Sequence, residues 1–143
     1  MLQTQFAHRC IDTLRLAQSG LSQHDPKSVV YDIYRAACVK EFEIVSEQCA
    51  KLLKKSLFVF FSSSKQLDAL TYKDIFRHAA KHGFMTLEEV ERWIQYRDHR
   101  NQTAHEYGEN YADGILLLIT EFLDDAGRLL KAIEAAPTNE TSN

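Results

Sequence analysis

The longest run free of helix breakers is SVVYDIYRAACVKEFEIVSEQCAKLLKKSL, Ser28–Leu57, and its reading decides the fold. Neither Gly nor Pro interrupts it, and Asp25 followed by Pro26 just upstream is a good N-cap and first-turn pair. At about 100° per residue, one face collects Val30, Ile33, Tyr34, Ala37, Ile44, Val45 and Leu52, while Val39, Phe42, Leu53 and Leu57 fall nearly opposite. Only a narrower sector with Asp32, Lys40, Glu43, Glu47 and Lys54 reads as fully wet. A helix that is apolar on two sides needs two partners, and a second copy of the chain is a candidate for one of them.

Outward from this helix the same period recurs. Phe6, Cys10, Leu14, Ala17 and Leu21 are spaced by three or four, predicting a helix from about residue 3 to 20 that fades after Gly20. LFVFFSSSKQ, from Leu57, reads as a connector whose aromatic run joins the core. YKDIFRHAAKHG, from Tyr72, predicts a short helix stopped by Gly83. Thr86 and Glu89 form a capping box for a helix carrying Val90, Trp93 and Ile94. Asn110 is placed to cap a last helix over about 111–135, with Ile115, Leu118, Ile119, Phe122, Leu129, Leu130 and Ile133 inward, and Pro137–Asn143 reads as a disordered tail. No strand-like alternation or internal repeat survives. The expectation is an all-α, up-and-down four-helix bundle with an additional short helix, one domain over residues 1–136 followed by the 137–143 tail.

Bulk composition agrees and excludes some functions. Five Gly and two Pro in 143 residues leave few turns, which favours helices. A formal charge of −3 argues against a generic polyanion coat, so any nucleic acid must meet a local basic cluster. The start MLQTQFAHRC lacks the charged and apolar regions of a leader, and no apolar run approaches a membrane span, so the chain is expected in the cytoplasm without a membrane partner. Cys10, Cys38 and Cys49 make no CxxC pair and read as reduced, structural thiols.

Several chemistries fail on spacing. His78 and His82 are four apart in RHAAKH, but Ala79 stands where a metalloprotease-type site has glutamate, and no third ligand has recognisable spacing. No metal or other cofactor is expected. GENYADG lacks the spacing of a phosphate-binding loop, and no Ser or Cys lies in a nucleophile motif. Glu41 and Gln48 fall within the first apolar stripe of the long helix, where a buried carboxylate needs a partner such as Arg97 or Arg100.

RDHRNQTAHEY, Arg97–Tyr107, is the remaining candidate. Arg100 and His105 enclose four residues, Asn101 follows the arginine, and Tyr107 follows the histidine by two. Such a pair is sufficient to cut RNA without metal. A neutral imidazole takes the proton of a ribose 2′-hydroxyl, the oxygen attacks the adjacent phosphorus, and the guanidinium holds charge gathering on the phosphoryl oxygens. The product is a 2′,3′-cyclic phosphate. The departing 5′-oxygen also needs a proton, so a symmetric dimer closing this loop against its twin supplies a second histidine. Spacing alone is weak, since Arg77 to His82 and Arg92 to His99 fit the same loose pattern. By itself His105 also reads as an ordinary structural histidine and Tyr107 as a rim aromatic.

With those residues in view, the chain resembles the HEPN toxins of bacterial and archaeal HEPN/MNT toxin–antitoxin pairs, also described as nucleotidyltransferase substrate-binding proteins. Arg100, His105 and Tyr107 match the family's R-x4-H-x-Y motif, with Asn101 in the usual place after Arg, and EFEIVSEQCAKLLKK, with Phe42, Glu43 and Glu47, looks like its second-helix pattern. The resemblance implies a HEPN-like homodimer with a metal-independent endoribonuclease site at the dimer cleft, acting on RNA. Arg100 and His105 would be catalytic, and Asn101, Arg97, Asp98 and Glu43 supporting. It also implies a cognate MNT-type nucleotidyltransferase antitoxin that neutralises the toxin by AMPylation of Tyr107. An adenylyl phosphate there places negative charge beside Arg100, where an RNA phosphate would otherwise sit. RNA attraction must then rest on Arg92, Arg97, His99 and Arg100, doubled by symmetry. The other reading that remains open is a non-catalytic subunit that binds nucleotide or substrate for a minimal nucleotidyltransferase complex.

Overall fold

The structure, a computed structural model, describes residues 3–101 and 109–136, with the backbone alone at 109–111. Every regular element among them is helical: α1 Gln5–Ser22, α2 Val29–Leu57, a 3-10 turn Phe58–Phe60, α3 Ser64–Asp68, α4 Tyr72–Lys81, α5 Leu87–Asn101 and α6 Glu109–Ala135. Helices α1, α2, α5 and α6 form the expected bundle of four, and α4 is the expected short helix. The tail from residue 137 lies outside the described residues.

Local signals explain the boundaries, and some differ from expectation. Helix α1 continues through Gly20 to Ser22. The glycine is there for close approach: a Cβ on it would lie 2.3 Å from Cδ1 of Tyr34 on α2. Helix α2 is capped by Ser28, whose Oγ accepts the Tyr31 N–H at 3.1 Å. Asp25 is not the cap but shapes the preceding turn, accepting the Lys27 N–H at 2.9 Å. The end of α4 is a Schellman motif, with Gly83 at φ +86°, its N–H on the Ala80 carbonyl, and the Phe84 N–H on the Ala79 carbonyl. Thr86 and Glu89 make the capping box of α5, each backbone N–H on the other's side chain at 3.1 Å. Helix α6 starts at Glu109, so Asn110 lies inside it and is not its cap.

The two apolar faces expected for α2 are not two continuous stripes. From Cys38 onward, α1, α4, α5 and α6 wrap a single broad side, burying Cys38, Phe42, Val45, Cys49, Leu52, Leu53 and Leu57. In its first turns only Tyr34 packs on the core, while Val29, Val30 and Ile33 stay 75%, 43% and 63% exposed. The connector also holds more structure than expected. Ser63 caps α3, which is anchored by buried Leu67 and by an Asp68–Lys54 ion pair at 2.8 Å. The aromatic run before it buries Leu57 but leaves Val59 and Phe60 on the surface.

An aromatic chain fixes the helices that carry the candidate site. Phe122 of α6 meets Phe42 of α2 at 4.6 Å and Tyr96 of α5 at 5.1 Å, and Trp93 of α5 stacks on Phe76 of α4 at 5.3 Å. All five side chains are essentially fully buried, so each truncation to Ala would cost about 3–5 kcal/mol. Among the described residues, no helix is long and apolar enough to cross a membrane.

Candidate functional site

Helix α5 carries the described part of the Arg97–Tyr107 stretch, and Arg100 and Asn101 are its last two residues. Val90, Trp93 and Tyr96 bury one face, so the final turn faces the neighbouring helices in fixed directions. Residues three apart share a side of a helix. Arg97 lays its guanidinium over the Tyr72 ring of α4, with Cζ 4.7 Å from the centroid. Arg100, on the same side, reaches α2, where Nη2 lies 3.7 Å from Glu47 Oε2. His99 faces the other way, against Gly114 of α6. Asp98 and Asn101 are exposed. Glu43 is half-buried on α2, one turn before Glu47, and makes no ion pair among the described residues. His105 and Tyr107 lie outside the described residues.

The arginines of α5 are held very differently. Arg92 donates through Nε and Nη2 to the carboxylate of Asp125 on α6, at 2.8 and 2.9 Å. Asp125 is fully buried and also accepts from Tyr96 Oη at 2.5 Å and from Arg128. Burial pushes the Asp125 carboxyl up, but hydrogen bonds from Arg92, Tyr96 and Arg128 outweigh it and hold the group below the usual carboxylate range. Arg92 is therefore consumed in the fold, which removes it from the cations expected to attract RNA. Arg100 faces a partner that is two-thirds exposed, across a gap too long for a good hydrogen bond. Among the described residues that is the one ion pair Arg100 makes.

Glu41 does not take the arginine partner considered for it. It lies beside α1, where its charge helps raise the Cys10 thiol after burial itself, and Arg100 meets Glu47 instead. The Asp125 cluster was not anticipated, although a signal exists. Asp125 follows Phe122 by three and precedes Leu129 by four, which puts a carboxylate on the inward stripe of α6. His78 and His82 do not converge as ligands: their rings lie 6.2 Å apart and nearly parallel, and His82 is stacked under Phe60 at 3.8 Å. Among the described residues no three His, Cys, Asp or Glu side chains gather as a metal site.

A family described as nucleotidyltransferase substrate binding protein like matches residues 9–135. The chain belongs to this family. It is 31% identical over 106 residues to a probable ribonuclease HepT of Haemophilus influenzae, covering 74% of this chain and 71% of that one. A solved Haemophilus influenzae structure, presented as the fold of a nucleotidyltransferase substrate-binding domain, superposes with a TM-score of 0.79 at 25% identity, covering 92% of this chain and 99% of that one. A Thermus thermophilus structure shares the fold at a TM-score of 0.69 and 22% identity, covering 89% and 98%. The family and the all-helical fold thus agree with the reading of the sequence.

Proposed function

We propose that this family member is the toxin of a toxin–antitoxin pair, a metal-independent endoribonuclease. Its site joins Arg100 and His105 at a cleft between two copies of the chain. The observation that carries the reading is the contrast on α5: Arg92 is locked into Asp125, whereas Arg100, the arginine followed at the right spacing by His105 and Tyr107, is only loosely held among the described residues. The likeness to a probable ribonuclease supports the same class of chemistry.

In this mechanism His105 takes the 2′-hydroxyl proton, the 2′-oxygen attacks phosphorus, and the P–O5′ bond breaks. The partner copy's histidine protonates the leaving 5′-oxygen, yielding a 2′,3′-cyclic phosphate and a 5′-hydroxyl. Arg100 binds the non-bridging oxygens as charge develops. Asn101 orients the loop, Arg97 adds positive potential, and Asp98 and Glu43 support the site. A cognate nucleotidyltransferase antitoxin silences it by transferring AMP from ATP to the hydroxyl of Tyr107, releasing pyrophosphate and setting a phosphate against Arg100.

Induced expression tests this in cells. Wild type should inhibit growth and His105→Ala should not. Tyr107→Phe should stay toxic even with an active nucleotidyltransferase, its intact mass showing no added AMP. The second reading, a subunit that presents nucleotide or substrate to a nucleotidyltransferase, draws on the family description and the Haemophilus structure. It predicts that wild type does not inhibit growth and that His105→Ala still binds its partner.

A further inference from the structure

Charge is distributed unevenly along this acidic chain. Between Lys51 and Gly83 stand seven Lys or Arg and only two acidic residues, Asp68 and Asp74, a formal +5 in a chain of −3. Both acidic groups are engaged locally: Asp68 meets Lys54 at 2.8 Å, and Asp74 closes the α4 capping box and meets Arg77 at 3.6 Å. Lys73, Arg77 and Lys81, spaced by four, form an exposed cationic row along α4. This row begins beside Tyr72, which lies under Arg97, and so starts at the end of the bundle that holds Arg100.

At the far end of the row the surface becomes aromatic. Phe60 stacks on His82 with centroids 3.8 Å apart and planes 10° from parallel. His82 in turn lies 10° from parallel with His78, whose ring is met edge-on by Phe61. Burial, followed by the nearby Lys81 and His78, holds the His82 pKa below its ordinary value, which favours the neutral ring. Three rings thus form a short parallel ladder whose outer member, Phe60, is 42% exposed at the tip of a 3-10 turn. An exposed phenyl over a stacked imidazole, next to a row of cations, is the arrangement that single-stranded nucleic acids use: bases extend the stack while phosphates follow the positive charge.

We propose that Phe60 and His82, together with Lys73, Arg77 and Lys81, form a second binding site for single-stranded RNA. It lies roughly 15 Å from the Arg97–Arg100 end of α5, given about 1.5 Å of helix rise per residue along α4. A base stacks on the outer face of Phe60, and the strand runs along α4 toward Arg100. Its role in guiding substrate rests on the ribonuclease reading above, whereas its binding of RNA does not.

The test uses the full chain and a labelled 2′-O-methyl RNA of about 12 nucleotides, which cannot be cut through its 2′-oxygen, with binding followed by fluorescence anisotropy. Phe60→Leu should weaken binding at least about fivefold, whereas Phe60→Trp should retain it; this pair separates stacking from greasy bulk and guards against misfolding. Lys73→Gln with Arg77→Gln should lower the slope of log affinity against log salt by about 1.4. In cleavage assays Phe60→Leu should raise KM for a long RNA and leave turnover of a dinucleotide unchanged. Equal RNA binding by wild type and Phe60→Leu would overturn the proposal, as would a Phe60 dependence seen for a nucleotidyltransferase partner and not for RNA. Phe60-dependent binding in a protein that cuts no RNA would uphold this site and sink the ribonuclease reading instead.

Discussion

Replacing Asp125 by Ala removes an acceptor that Arg92, Tyr96 and Arg128 share. Asp125 is fully buried, so the side chains that relied on it must find water or other partners. Breaking a buried ion pair from one side costs about 3–5 kcal/mol. Relief is available at the edges: the Arg128 side chain is 55% exposed, and Arg92 retains Glu121 at 3.8 Å, which places the cost at the low end, about 3 kcal/mol. For a chain of 143 residues that corresponds to roughly a 10 °C fall in melting temperature. Arg128→Ala, by contrast, should cost about 1 kcal/mol or less, since it removes a half-exposed donor. Because the folded-state carboxyl ionises below its ordinary value of 3.8, the folded protein binds fewer protons there than the unfolded chain. Its contribution is therefore fully present above that value and is lost as pH falls through the lower, folded-state value. Asp125→Asn should be less stable than wild type at pH 7, and the gap should narrow below about pH 4. Urea melts across this range measure both effects. Equal losses for Asp125→Ala and Arg128→Ala, or a gap that widens in acid, would refute the view of Asp125 as the clamp between α5 and α6.

Other outcomes follow from single contacts. Gly20→Ala puts a Cβ 2.3 Å from the Tyr34 ring, so Tyr34 must leave its place and thermal stability should fall by about 1–3 kcal/mol. Burial raises the Cys38 thiol to about 11 and the Cys49 thiol to about 12, so a disulfide reagent at pH 8 should label neither in the native protein and all three cysteines in denaturant. Glu47→Gln frees Arg100 from its exposed partner and should strengthen RNA binding up to about fivefold at low salt, an effect that fades as salt rises.

The fold was legible because its signals are local. An uninterrupted thirty-residue run, a glycine stop at Gly83 and a Thr86–Glu89 box specify helices without knowledge of their neighbours. What escaped depends on neighbours. Helical projection cannot tell that the first turns of α2 are left largely unwrapped, so Val30 and Ile33 read as core although they are exposed. Gly20 reads as a helix end until Tyr34 is seen against it. The candidate site was legible as a motif, but the roles of its arginines were not, because the carboxylate that claims Arg92 lies 33 residues away on another helix. Likewise His78 and His82 invite a metal reading by spacing, and only the packing of Phe60 and Phe61 shows them in an aromatic stack.

The central claim is that Arg100 and His105 cut RNA without metal. It is tested most directly by incubating unmodified wild type and His105→Ala with a panel of RNAs in excess EDTA and identifying the product ends. Cleavage by wild type alone, leaving 2′,3′-cyclic phosphate and 5′-hydroxyl ends, is the predicted result. Intact RNA throughout, from protein whose mass shows Tyr107 free of AMP, or equal cleavage by His105→Ala, would contradict the account.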